Sequence, residues 1–148
     1  MGPNKLVLVV IALALILVGC NNQETPDREV NNLEGVSMEV LEHTVSPTNL
    51  RVVMNNNSDK YLVYGEEFSV ERKMNNEWHE LPIENENYGF TDIGYDLNPG
   101  IRIEEEINIS FLYDQLEPGE YRVIKSVLEV REPGDYDEYY LTAEFSIE

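Results

Sequence analysis

Of the 148 residues, 29 are Asp or Glu and only 10 are Lys or Arg, a formal net charge of −19 at pH 7. A surface of that sign repels phosphate backbones and anionic lipid head groups, which excludes nucleic acid as a natural partner. The length suits one hydrophobic core, and the single cysteine allows no internal disulfide.

The chain opens with a charged stub, Met1 to Lys5, followed by an unbroken apolar run from Leu6 to Val18. Thirteen residues make about 20 Å of helix, short of the ~30 Å hydrocarbon core that a stable span requires. The run therefore reads as a secretory signal. Its end, Leu17-Val18-Gly19-Cys20, resembles the lipobox of bacterial lipoproteins, with a small residue at Gly19 and the cysteine directly after it. The resemblance implies cleavage between Gly19 and Cys20 and a diacylglyceryl thioether on Cys20, a step that uses the nucleophilicity of a thiolate. Two acyl chains at about 0.8 kcal/mol per buried CH₂ would hold the protein to the membrane on its extracytoplasmic face. Residues 1–19 are thus expected as signal peptide, and the mature chain carries 9 basic against 29 acidic residues. Residues 20–32 are polar apart from Val30, and are expected as a lipidated cysteine followed by a flexible tether.

From residue 33 to 148 the apolar period is two, as in strands. Leu141, Ala143, Phe145 and Ile147 alternate with polar residues, as do Leu50, Val52 and Met54. Ile101, Ile103, Ile107 and Ile109 share a face interrupted by Glu105, which is expected at a bulge or rim. Leu62, Tyr64, Phe68 and Val70 share a parity interrupted by Glu66. Strands are expected over 36–43, 48–55, 66–74, 77–81, a short piece at 90–93, 101–111, 119–130 and 139–147. Asn98-Pro99-Gly100, Glu117-Pro118-Gly119 and Glu132-Pro133-Gly134 read as type II turns, and Asn75-Asn76 as a primed hairpin turn. Seven or eight short strands in one domain favour an all-β, two-sheet sandwich of immunoglobulin-like type.

Local motifs sharpen that reading. The stretch Leu116-Glu117-Pro118-Gly119-Glu120-Tyr121 resembles the entry to an Ig-like strand whose tyrosine hydroxyl bonds back to the preceding loop. Together with Tyr64-Gly65-Glu66-Glu67-Phe68, Trp78, Asp92-Ile93-Gly94-Tyr95 and Leu97-Asn98-Pro99-Gly100, it is similar to the bacterial Ig-like domain found in lipoproteins of bacilli and their relatives. That resemblance implies an Ig-like sandwich in a Gram-positive envelope and points to no particular activity. A weaker likeness is to the BsuPI-type proteinase inhibitors of bacilli, which implies an inhibitory alternative.

No constellation for chemistry stands out. A hydrolytic triad needs a base, and only His43 and His79 could serve, each placed as an ordinary surface histidine. Asp135-Tyr136-Asp137-Glu138, expected in a loop before the last strand, and Asp92 with Asp96 offer hard oxygen ligands without EF-hand spacing, so weak calcium binding competes with plain solvated charge. Tyrosines flank the same stretches. Tyr88 and Tyr95 on one side, and Tyr136, Tyr139 and Tyr140 with Asp135 and Asp137 on the other, are expected to form one acidic, tyrosine-rich surface for an envelope protein or peptide.

Overall fold

Alternation is strongest toward the C-terminus, and there the computed structural model, which describes residues 27–148, places its two longest strands. Strands β8 (Gly119–Glu132) and β9 (Asp135–Ile147) form one antiparallel ribbon closed by Pro133-Gly134. The leader, Gly19 and Cys20 lie outside the described residues.

The other strands are β1 (Val36–Val40), β2 (Asn49–Asn56), β3 (Leu62–Tyr64), β4 (Ser69–Met74), β5 (Glu77–Glu80), β6 (Tyr95–Leu97) and β7 (Arg102–Asn108). They divide into two sheets. One has the order β1-β2-β7. In the other, β9 lies along one edge of β8 while β3 and β4 follow one another along the opposite edge, with β6 outside β3 and β5 outside β4. The inward parity of both sheets fills the space between them: Leu50, Val52 and Met54 from β2 meet Tyr121, Val123 and Val127 from β8 and Leu141, Ala143 and Phe145 from β9. The two-sheet sandwich expected from the sequence is the architecture observed.

Several local expectations hold. Asn75 and Asn76 both take positive φ and join β4 to β5, and Gly100 and Gly134 supply the positive φ that a type II turn requires. The Tyr121 hydroxyl donates to the Glu117 carbonyl, the corner foreseen from the motif. Gly119 does not take positive φ; it opens β8 instead, so that third turn is corrected.

The strand boundaries shift for identifiable reasons. The expected strand 101–111 ends at Asn108, and residues 110–113 form one helical turn, α1 (Ser110–Tyr113), because consecutive Phe111, Leu112 and Tyr113 cannot all be covered on a strand, while the turn buries Leu112 and Tyr113. Residues 90–93 are not a strand, and the edge strand starts at Tyr95. Residues 41–43 leave the first strand for a 3₁₀ turn over Glu42–Thr44. The expected strand 66–74 begins only at Ser69 as β4, and a further short strand not expected as such, β3, precedes it, with residues 65–68 between them. Residues 135–138 belong to β9 and not to a loop, held there by Arg131, which bonds Asp135 (2.7 Å) and Asp137 (2.7 Å) across the ribbon.

The tether is also shorter than its composition suggests. Val30 bridges Tyr140 in parallel, and the Asn31 amide exchanges bonds with the Thr142 backbone N–H and hydroxyl, each 2.9 Å. Arg28 stacks over the Tyr140 ring at 5.0 Å and reaches Glu80 at 3.5 Å. This segment covers the otherwise open edge of β9, a site where an unpaired strand invites aggregation. Polar side chains that supply specific partners hold residues 27–32 where hydrophobicity alone would not. Among the described residues no helix is long and apolar enough to cross a membrane.

Tyr113 links α1 to the sheet, its hydroxyl accepting from the Val70 N–H at 3.1 Å. Burial pushes its phenol up to about 12 from 10.0. A raised folded value means that the neutral phenol contributes stability that is complete below pH ~10 and is lost as pH rises toward 12. Tyr113→Phe is expected to lower stability at pH 7 by about 1–3 kcal/mol, since Val70 N–H loses its acceptor. The same variant should show a shallower loss of stability than the parent between pH 10 and 12, read by urea denaturation at stepped pH.

Candidate functional site

Residues 65–68 make the fold's main irregularity. Tyr64 pairs with Val127 and Ser69 with Ile124, so five steps along one strand are set against three along β8. The two extra residues keep the parity of Tyr64 and Val70 but push out a loop whose carbonyls lack ladder partners. Lys125 fills that break. It sits at an inward position between Val123 and Val127, and its fully buried ammonium donates to Gly65 O (2.9 Å), Glu67 O (3.2 Å) and Glu105 Oε1 (2.9 Å). The three protons of the ammonium are matched by three acceptors.

Glu105 comes from β7 in the facing sheet, opposite Val52 of β2. It is therefore an inward residue in a regular strand, which corrects the bulge half of the expectation, while its place on the edge strand beside the opening agrees with the rim. Burial pushes its carboxyl up, with the Lys125 charge opposing that shift; burial likewise pushes the Lys125 ammonium down against the pull of Glu105. The pair joins the two sheets at a desolvated point. Its second oxygen, Glu105 Oε2, is buried without a hydrogen-bond partner.

Outside this pair the sandwich is open, and the opening is lined by rings. Tyr64, Phe68, Phe90, Tyr95 and Phe111 border a groove of about 410 Å³ with Glu105 in its wall. Tyr64 and Tyr95 sit 5.5 Å apart; Phe90 lies 5.9 Å from Phe68, 5.5 Å from Phe111 and 6.0 Å from Tyr88. The segment 82–94 supplies Phe90, and α1 supplies Phe111, so the helical turn and the irregular segment jointly form one wall. Glu66, carried by the loop 65–68, also lines the groove and accepts from the Tyr95 hydroxyl at 3.1 Å. Hydrogen bonds from Thr91 and then Tyr95 hold its carboxyl below the usual range, and the same bond raises the Tyr95 phenol.

The residues singled out from the sequence separate into two places. Tyr95 lines the groove, 37 % exposed, and Tyr88, 42 % exposed, stands beside it with its ring against Phe90. Asp135, Tyr136 and Asp137 lie at the far end of the β8–β9 ribbon, where Tyr136 faces Val130, beyond the last residue that β3 covers. Tyr139 faces Val127 and packs partly against the core, its hydroxyl donating to Glu129 at 3.3 Å. From Tyr95 through Tyr64 and Val127 to Tyr139 are three strand spacings, about 14 Å. The single continuous surface expected from the two tyrosine stretches is thus corrected. The calcium reading loses its donors at the ribbon tip, because the Asp135 and Asp137 carboxylates are taken by Arg131.

His43 is exposed on the 3₁₀ turn, and His79 lies on β5, 3.9 Å from Glu77. Trp78 is on the outer face of its sheet, where Arg122 stacks over it at 4.8 Å while bonding the buried Glu71. It plays no part in the inter-sheet core.

A family model described as bacterial Ig-like domain matches residues 32–146. The chain belongs to the bacterial Ig-like domain family. A search of curated proteins gives no match to it. The family match accounts for the sandwich and supports an interaction module in coarse terms; the groove is built from this chain's own residues.

Sequence reasoning missed Lys125 and Glu105, and the signal was present. Each is a charged residue on the inward parity of an otherwise apolar strand, and their signs are opposite. Lys125→Met should cost about 3–5 kcal/mol, leaving a buried carboxylate and two carbonyls unmatched. Glu105→Gln, whose side-chain oxygen still accepts from Lys125, should cost about 1–2 kcal/mol. Chemical denaturation of both variants checks the ordering; equal costs would contradict it.

Proposed function

We propose that this protein is an extracytoplasmic lipoprotein, anchored through a diacylglyceryl group on Cys20, whose Ig-like domain is a non-catalytic module that captures a protein or peptide of the cell envelope. The observation that carries the binding part of this reading is the groove at the open side of the sandwich. Five aromatic rings and three glutamates, Glu66, Glu105 and Glu106, line it, and exposed rings held by packing offer stiff contact area at low entropic cost. The lipobox resemblance at Leu17-Val18-Gly19-Cys20 supports the anchor. The acidic surface favours a basic partner over anionic polymers.

The domain leaves the anchor by residues 27–32, which run along β9. The groove lies on the opposite side of β8, where Tyr64 of β3 and Tyr95 of β6 line it. A tether attached on one flank leaves the other flank free for a partner.

Two measurements in intact cells test the proposal. Metabolic labelling with a fatty acid should mark the protein and be lost in Cys20→Ala; an unlabelled, uncleaved parent would remove the anchor. Crosslinking followed by pull-down should capture a defined partner, reduced at least about ten-fold by Tyr95→Ala and unaltered by Tyr136→Ala. Equal capture by both variants would discard the groove as the contact.

A further inference from the structure

We infer that the groove is a receptor for a basic side chain, a lysine or arginine presented by the partner polypeptide. The inference rests on the binding reading above and specifies its chemistry.

Three features of the groove select a cation. The first is its charge: Glu105 lines the wall and Glu66 the rim, and Glu66 is engaged by neutral donors, the Thr91 N–H at 3.5 Å and the Tyr95 hydroxyl. An anionic ligand is repelled by both. The second is the spare acceptor. Glu105 Oε1 is used by Lys125, whereas Oε2 is buried without a partner, and a buried carboxylate oxygen left unmatched is stabilised by an incoming N–H donor. The terminal torsion of a glutamate is broad and roughly two-fold, so a modest turn of the carboxyl presents Oε2 to the groove. A quaternary ammonium has no N–H to offer that oxygen, which favours a primary ammonium or a guanidinium.

The third feature is the ring geometry. A cation within about 6 Å of a ring centroid is attracted by the negative face. This domain already uses that contact repeatedly: Lys125 lies 5.7 Å from the Tyr64 centroid, Arg28 5.0 Å from Tyr140 and Arg122 4.8 Å from Trp78. Tyr64 and Tyr95, tilted by 31° to one another, border the groove beside Glu66. The apolar stem of a lysine or arginine packs on Phe90 and Phe111 while its head reaches the carboxylates. A metal ion is a poor fit, since aromatic walls supply no ligands, and among the described residues no group of three His, Cys, Asp or Glu is placed to hold one. A neutral sugar would use the rings and leave the charge without a role.

The test uses the full chain in detergent, labelled with ¹⁵N, and a pentapeptide with one central lysine flanked by alanines, compared with the same peptide bearing Nε-acetyl-lysine. Saturable amide shifts at residues 64–66, 89–95 and 105–106 are expected with the lysine peptide. Acetylation should weaken binding by at least about ten-fold, a difference of about 1.4 kcal/mol. Tyr95→Ala should weaken it similarly, and Phe90→Ala provides a second variant that leaves the Lys125–Glu105 pair untouched. Equal affinity for the two peptides, shifts confined to other surfaces, or no binding by the lysine peptide would each overturn the inference. If a partner is still captured in cells through Tyr95 under any of those results, the binding module stands and only its ligand class falls. Loss of capture as well would remove both.

Discussion

A buried ammonium holds this sandwich together at its least regular point. Two extra residues between β3 and β4 would leave the Gly65 and Glu67 carbonyls facing the core, and Lys125 satisfies both while crossing to Glu105 on the facing sheet. Removing a charge from water is costly, and the ion pair alone returns little of that cost. Backbone carbonyls that have no other donor change the balance, because their desolvation would be incurred whether or not a lysine were present. The pair is better understood as the closure of a backbone defect than as an ordinary salt bridge.

The defect in turn creates the candidate site. A continuous strand from residue 62 to 74 would carry Glu66 in regular alternation and leave no loop to present it. With the excursion in place, Glu66 meets Tyr95 and Thr91, Phe68 packs against Phe90 and Tyr113, and the opening between the sheets acquires aromatic walls. The irregular backbone thereby turns an ordinary sandwich edge into a groove with a charged floor. Lys125 and the core beneath it are buried, whereas Tyr88 and Tyr95 are exposed. The groove thereby combines a buried, charge-paired base with accessible rings.

How much of this could be read beforehand differs by element. Period-two patterning located the strands, Asn75-Asn76 and the Pro-Gly pairs at 99–100 and 133–134 located turns, and Tyr121 announced its own hydrogen bond, because each of these depends on residues close in sequence. Several of the failures depended on pairing between distant residues. Residues 135–138 looked like a loop because Asp disfavours strands, yet Arg131 on the neighbouring strand pairs with both aspartates. Residues 30–32 looked like tether because the stretch they end is polar apart from Val30, yet Thr142 and Tyr140 supply partners for Asn31 and Val30. Glu66 and Glu105 appeared as faults in two separate apolar patterns. Only the inter-sheet geometry shows that both line one groove, and that a lysine twenty residues beyond Glu105 answers it.

The claim that recognition occurs at this groove is tested most directly by a photo-crosslinking scan in living cells, with a benzophenone amino acid placed in turn at Tyr88, Tyr95 and Tyr136 of the full-length protein. The account predicts an adduct with one partner from positions 88 and 95 and none from 136, with the adduct lost when excess lysine peptide is added. A partner trapped from position 136 and not from 88 or 95 would contradict it.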